Sequence, residues 1–150
     1  MSLQQEIMTA MKEAMKAKDQ VTLTSLRAIK SAILLAQTES GAKEELSEAD
    51  EIKILQKLVK QRKDSAAIFT EQNRADLAEP ELAQAEVIAK FLPEQLSEEE
   101  VEKVVVQTIE ATGADGMKDM GKVMGIVSKE LAGQADGKLI STVVKRILMA

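Results

Sequence analysis

The 150-residue chain contains no cysteine, histidine, tryptophan or tyrosine, and only two prolines. Each absence removes a class of chemistry. Without cysteine there is neither a disulfide nor a thiolate nucleophile. Without histidine the chain lacks the side chain that titrates near neutral pH, the usual general base and the commonest metal ligand. Zinc sites built from these two residues are excluded. Hard-cation sites made of carboxylates remain possible, but no run of spaced acids around a central glycine forms a calcium loop, and neither a metal nor a cofactor is expected. Phe69 and Phe91 are the whole aromatic complement. The apolar 45% of the chain must therefore be chiefly Leu, Ile, Val, Met and Ala, which suit packed helices better than strands. The fold class is expected to be all-α. No uncharged run approaches the ~20 residues of a membrane span, and the acid-bearing N-terminus lacks the layout of a secretion signal. The expectation is a soluble, cytoplasmic protein with no membrane partner.

What is present reads as seven helices. Ser2 and Gln5 have the form of a capping box, and a first helix follows to about Lys18 with Ile7, Met11 and Ala14 on one side. Asp19 caps a second, to about Glu39, with Leu26, Ile29, Ile33 and Ala36 at helical spacing. Gly41 is expected to end it. Ser47 starts a third and longest helix reaching about Asn73, and a fourth is expected from Glu79 to Phe91 with Pro80 in its first turn. Pro93 then discourages helix, while Ser97 and Glu100 form a second capping box. This is the domain boundary: four helices in an N-terminal subdomain, residues 1–93, and three in a C-terminal one, residues 94–150. The fifth helix ends near Thr112 despite its valine run, the sixth spans about Met117 to Leu131, and the seventh runs to the end.

The stretch GMKDMGKV, Gly116 to Val123, has the spacing of a nucleotide phosphate loop without its final hydroxyl residue. Such a loop needs a strand before it and a magnesium-binding Ser or Thr after the lysine. Here a helix is expected before it, and Val123 stands where the hydroxyl would be. Nucleotide hydrolysis is rejected. Met120, Val123, Met124, Val127 and Leu131 instead define the apolar face of a helix. Gly121 and Gly125 lie beside that face, each costing roughly 1 kcal/mol of helix propensity against Ala. Two such residues imply a close neighbour. Spacing favours the backbone of another helix over the backbone of an RNA.

Charge is unevenly distributed. From Glu94 to Asp115 there are seven acids against Lys103 alone, whereas from Met117 onward six bases face three acids. Those bases are Lys118, Lys122, Lys129, Lys138, Lys145 and Arg146. A local basic patch on an acidic protein is compatible with phosphate contact, and equally with a solvated helix face.

The same segment carries a family resemblance. Asp119-Met120-Gly121-Lys122-Val123-Met124-Gly125, then Gly133, then Ala135-Asp136-Gly137-Lys138-Leu139, resembles the C-terminal part of the GatB/YqeY family. Lys60-Gln61-Arg62-Lys63-Asp64-Ser65 and Phe91-Leu92-Pro93-Glu94-Gln95-Leu96-Ser97 are similar to its free-standing branch, so the likeness spans nearly the whole chain. The resemblance implies a multihelical fold whose smaller C-terminal subdomain is related to the tail of the glutamine-dependent tRNA amidotransferase B subunit. It implies tRNA or a tRNA-handling protein as partner, with Gly121, Lys122, Gly125, Gly133 and Lys138 at matching positions. It also brings a label of carbon–nitrogen ligase with glutamine as amido donor. This chain gives that label no chemical support, since the Ser-Ser-Lys machinery of the amidase partner is missing. Asp136-Gly137 stands where amidotransferase tails often carry Asn-Pro, and Glu130 interrupts the basic region.

Outside the tail, Arg62 falls on the apolar seam of the third helix, among Ile52, Leu55, Val59, Ala66 and Phe69. A cation there requires a carboxylate partner or an outlet to water. An ion pair with an acid such as Glu86 is expected, with a ligand-binding groove as the alternative. Lys53, Lys57 and Lys60 stripe a neighbouring face that reads as solvated. Ser65 beside Asp64, without a histidine, is a poor nucleophile. Met8, Met11, Met15, Met117, Met120 and Met124 read as core filler, and Phe91 as packing between the subdomains. The function expected is that of a non-catalytic helical adaptor contacting tRNA or tRNA-handling proteins. The alternatives are a protein-interaction module without RNA and an accessory to amidotransferase activity.

Overall fold

The structure is a computed structural model that describes residues 2–39 and 46–150, and no strand occurs among these residues. The expected helix end at Gly41 lies outside them. Seven α-helices are described: α1 Leu3–Ala17, α2 Gln20–Glu39, α3 Glu48–Glu71, α4 Ala75–Ala89, α5 Glu98–Thr112, α6 Met120–Glu130 and α7 Gly137–Met149. A single 3₁₀ turn, Met117–Asp119, leads into α6. The chain divides into two compact units, Met1–Leu92 and Pro93–Ala150.

The helix starts follow from local chemistry. Ser2 and Ser97 each accept the N–H of the third helical residue, while Gln5 and Glu100 return the bond to the cap backbone. Ser47 accepts from the N–H of Asp50. Asp19 holds the start of α2, accepting the Thr22 hydroxyl at 2.6 Å and the Thr22 N–H at 3.1 Å. These bonds, the hydroxyl one foremost, keep the Asp19 carboxyl below its ordinary pKa. Lys18 in the left-handed region (φ 57°) closes α1, so two residues suffice to turn the chain into α2.

The fourth helix differs from expectation. It begins at Ala75 rather than Glu79, which places Pro80 inside the helix. The ring removes one N–H donor on an exposed stretch, a loss that water can cover at the Asp76 carbonyl. Asn73 at φ 60° turns the chain between α3 and α4, and Arg74 pairs with Asp76 at 3.0 Å just inside the new helix. Arg74 thereby holds the Asp76 carboxyl below its usual range.

In the first unit α2 packs against α1, α3 and α4, and α3 pairs with α4 as a hairpin. Its core joins Leu3, Ile7, Leu23, Leu26, Ile29, Ile33, Leu55, Val59 and Ile88, with Phe91 half-buried against it. In the second unit α5, α6 and α7 pack mutually around Val101, Val105, Val123, Val127, Ile140, Val143 and Val144. The segment entering this unit is tied down: Leu96 N–H donates to the Gln134 carbonyl at 2.8 Å, and Gln95 Nε2 donates to the Gly133 carbonyl at 2.6 Å. The methionines divide. Met11, Met120 and Met124 pack against the cores, but Met8, Met15 and Met117 are 55%, 53% and 44% exposed, contrary to the reading as filler. Met8 and Met15 follow the inward residues Ile7 and Ala14 by one position, roughly 100° round the helix.

Candidate functional site

Among the described residues no buried side-chain polar atom lacks a partner, and no three acidic side chains converge on a metal position. The depression along α5, bordered by Glu99, Glu102, Lys103, Val106 and Gln107, is open to solvent. The candidate site is therefore a surface, and the segment of glycines and lysines builds it.

Gly113 (φ 68°) ends α5 and Gly116 (φ 71°) redirects the chain into the 3₁₀ turn. Asp119 braces that turn by accepting the Asp115 N–H at 2.8 Å. A helix, not a strand, thus precedes the glycine-lysine pattern, and Lys122 lies within α6; the phosphate-loop reading fails on geometry as on sequence. Val123 and Val127 are buried and fix which side of α6 faces inward.

At roughly 100° per residue, Lys122, Gly125 and Lys129 then share a line on the opposite side, with Gly121 beside it. All four are exposed, as is Lys118 in the preceding turn. A Cβ at Gly121 or Gly125 would meet nothing within 4 Å. Among the described residues the expected neighbouring-helix backbone is absent from both positions, because these glycines face outward rather than along the packed side. Ile126, 39% exposed, is the apolar member of this face. By the same angular reckoning Asp119 and Glu130 fall on the side of Val123 and not on this face, although Glu130, at the helix end, is exposed.

The seventh helix repeats the arrangement. Asp136 caps it by accepting the Lys138 N–H at 3.2 Å, and Gly137 takes the first helical position, where a proline is also well suited. The departure from Asn-Pro thus preserves a cap and a helix start. Ile140, Val143 and Val144 are buried, while Lys138, Thr142 and Lys145 are exposed along the other side. Among the described residues, none of Lys118, Lys122, Lys129, Lys138 and Lys145 forms an ion pair.

Arg146 is different. Its Nη1 donates to Glu98 Oε1 at 2.9 Å and its Nη2 to Glu102 Oε2 at 3.1 Å. The acids of α5 therefore neutralise the one arginine of the basic tail. The signal for this was present, since Glu98 and Glu102 stand one turn apart on α5, but the inter-helix pairing is a tertiary fact.

Arg62 does not pair with Glu86. Its Nε donates to Gln84 Oε1 at 3.1 Å and its Nη1 to the Leu58 carbonyl at 3.2 Å. Glu86 is exposed and stands about 200° round α4 from Gln84, on another side of the helix. Half-burial leaves Arg62 the outlet to water that such a cation needs.

A family profile described as Yqey-like protein matches residues 4–148. The protein named "Altered inheritance of mitochondria protein 41, mitochondrial" from Clavispora lusitaniae is 36% identical over 125 residues, 81% of this chain and 72% of that relative. Its namesake from Pyrenophora tritici-repentis is 29% identical over 143 residues, covering 93% of this chain and 77% of the relative. A glutamyl-tRNA(Gln) amidotransferase component from Thermococcus gammatolerans is 48% identical over 71 residues, which are 45% of this chain but only 11% of that protein.

Proposed function

The chain belongs to the Yqey-like protein family, and from that premise we propose that it is a non-catalytic adaptor that contacts tRNA through the outward faces of α6 and α7. The observation that carries the proposal is the α6 face: Lys118, Lys122 and Lys129 exposed and without carboxylate partners among the described residues, beside two glycines with open space above them. Lysines without partners keep their full charge for phosphate. Glycines without neighbours let a nucleic-acid backbone approach the helix surface. Lys138 and Lys145 add a second row, whereas Arg146 contributes less because two carboxylates already share its charge. The likeness to a component of a tRNA amidotransferase supports tRNA as the ligand. It also supports a role as accessory to glutamine-dependent amide transfer, with the catalysis residing elsewhere. The proposed compartment is the cytoplasm; cell fractionation tests this against the mitochondrial names of the fungal relatives.

Titration of the protein with unfractionated tRNA is expected to show weak binding that falls steeply with salt. The double variant Lys122→Glu, Lys138→Glu should abolish it. Binding that ignores those substitutions, or no binding at low salt, removes the proposal. Ammonia release from glutamine by the purified chain would overturn the non-catalytic part.

A second reading, protein docking on the first unit, is favoured by its exposed apolar side chains. Met8, Met15, Leu34, Leu35 and Ile68 are each more than half exposed. A single protein partner recovered after RNase treatment, with no tRNA bound, would support it.

A further inference from the structure

The middle of α3 holds Lys53, Lys57, Lys60, Arg62 and Lys63, five bases with no acid between residues 53 and 63. Neither α6 nor α7 concentrates charge to this degree, and the chain as a whole is at −5. Lys53, Lys57 and Lys60 recur at i, i+4 and i+7, which aligns them over about 10 Å of one helix face. These three and Lys63 are exposed, and none forms an ion pair among the described residues. Like charges one turn apart destabilise a helix. A face that needs only to be solvated can mix its signs, as α1 does with Glu6, Lys12, Glu13 and Lys16. Along α3 acids return to this line only beyond the lysines, first at Asp50 and Asp64, and the stretch from Lys53 to Lys63 carries one sign, so its local charge pattern calls for an anionic counterpart.

The chemistry of the surroundings selects among polyanions. Protein interfaces are built on apolar or aromatic anchors and are depleted in lysine. Gln56 and Gln61 stand among these lysines, and the one large apolar residue of α3 that is exposed, Ile68, lies beyond them. Sites for unpaired bases stack them on aromatic rings. Here Phe69 and Phe91, the only rings in the chain, are half-buried. Phosphates of a base-paired stem need neither anchor nor ring.

We propose that α3 forms a second phosphate-contacting surface, in the N-terminal unit, which grips the backbone of a base-paired RNA stem through Lys53, Lys57, Lys60 and Lys63. The proposal rests on the reading of the protein as an RNA binder, but on different residues in the other unit.

The test is fluorescence-anisotropy titration of the full chain with unfractionated tRNA in KCl from about 50 to 200 mM. Lys53→Gln with Lys57→Gln and Lys60→Gln should lower the slope of log affinity against log salt by about 2 to 3. It should weaken binding at least about tenfold at the lowest salt. Glutamine has a helix propensity close to that of lysine, and relief of repulsion should leave thermal unfolding unchanged or raised. An unaltered slope and affinity in this triple variant overturn the proposal, whatever the Lys122, Lys138 double variant does. Loss in the triple variant alone supports α3 and removes the α6/α7 surface, so the two readings fail separately. A hairpin RNA should bind at least about tenfold tighter than an unpaired oligouridine of equal length, whose phosphates are less densely packed. Equal binding overturns the choice of a stem, and polyglutamate binding as tightly as tRNA overturns the choice of RNA.

Discussion

Gly121 and Gly125 lie in a regular helix with open space where each side chain would stand. Alanine at either position should therefore relieve the propensity cost without a clash, a gain of about 0.5 to 1 kcal/mol each. The double variant is expected to unfold at a higher temperature while binding tRNA less tightly, because two methyl groups would hold a backbone away. Thermal melting checks the first outcome and titration the second; a lower melting temperature would reveal a close neighbour. The spacing of these residues was legible in the sequence. Which side of α6 they occupy was misread, because glycines flanking an apolar stripe lie near both the packed and the open side. Arg62 shows the same limit: its place on the seam could be read, but the choice of Gln84 over Glu86 depends on how α4 is rotated against α3.

At the scale of elements, the caps were the most legible feature, because a cap is a local bond between residues three apart. Asp19 adds a pH dependence. Its carboxyl is held below the ordinary value by the Thr22 hydroxyl and N–H. The folded pKa being the lower one, the stabilisation is full above the unfolded value and is lost as pH falls through the folded one. The difference in melting temperature between wild type and Asp19→Ala should accordingly be largest near neutral pH and shrink in acid. A difference that stays constant from neutral pH into acid would show that the charged form is not what caps α2. The start of α4 was less legible. Pro80 reads locally as a first-turn proline, yet pairing with α3 extends the helix back to Ala75 and tolerates the missing donor.

At the scale of the molecule there are two cores built from different residues. Ile140, 2% exposed in the second core, should cost roughly 2 to 5 kcal/mol when replaced by alanine, through lost transfer energy and the cavity left behind. Hydrogen exchange is expected to show lower protection along α5, α6 and α7, with α2 and α3 changed less. Equal loss in all five helices would mean that the two cores unfold as one.

Residue identity alone dictates the helices, their caps, the absence of histidine and cysteine chemistry, and the uneven charge along the chain. Each of these is set by composition or by bonds within one turn. Packing settles which charges remain available. Bringing α7 against α5 carries Arg146 to Glu98 and Glu102, while the lysines of α6 and of α3 meet no carboxylate among the described residues. Ion pairs between helices depend on distances of a few ångströms across elements, and residue spacing along one chain does not contain them.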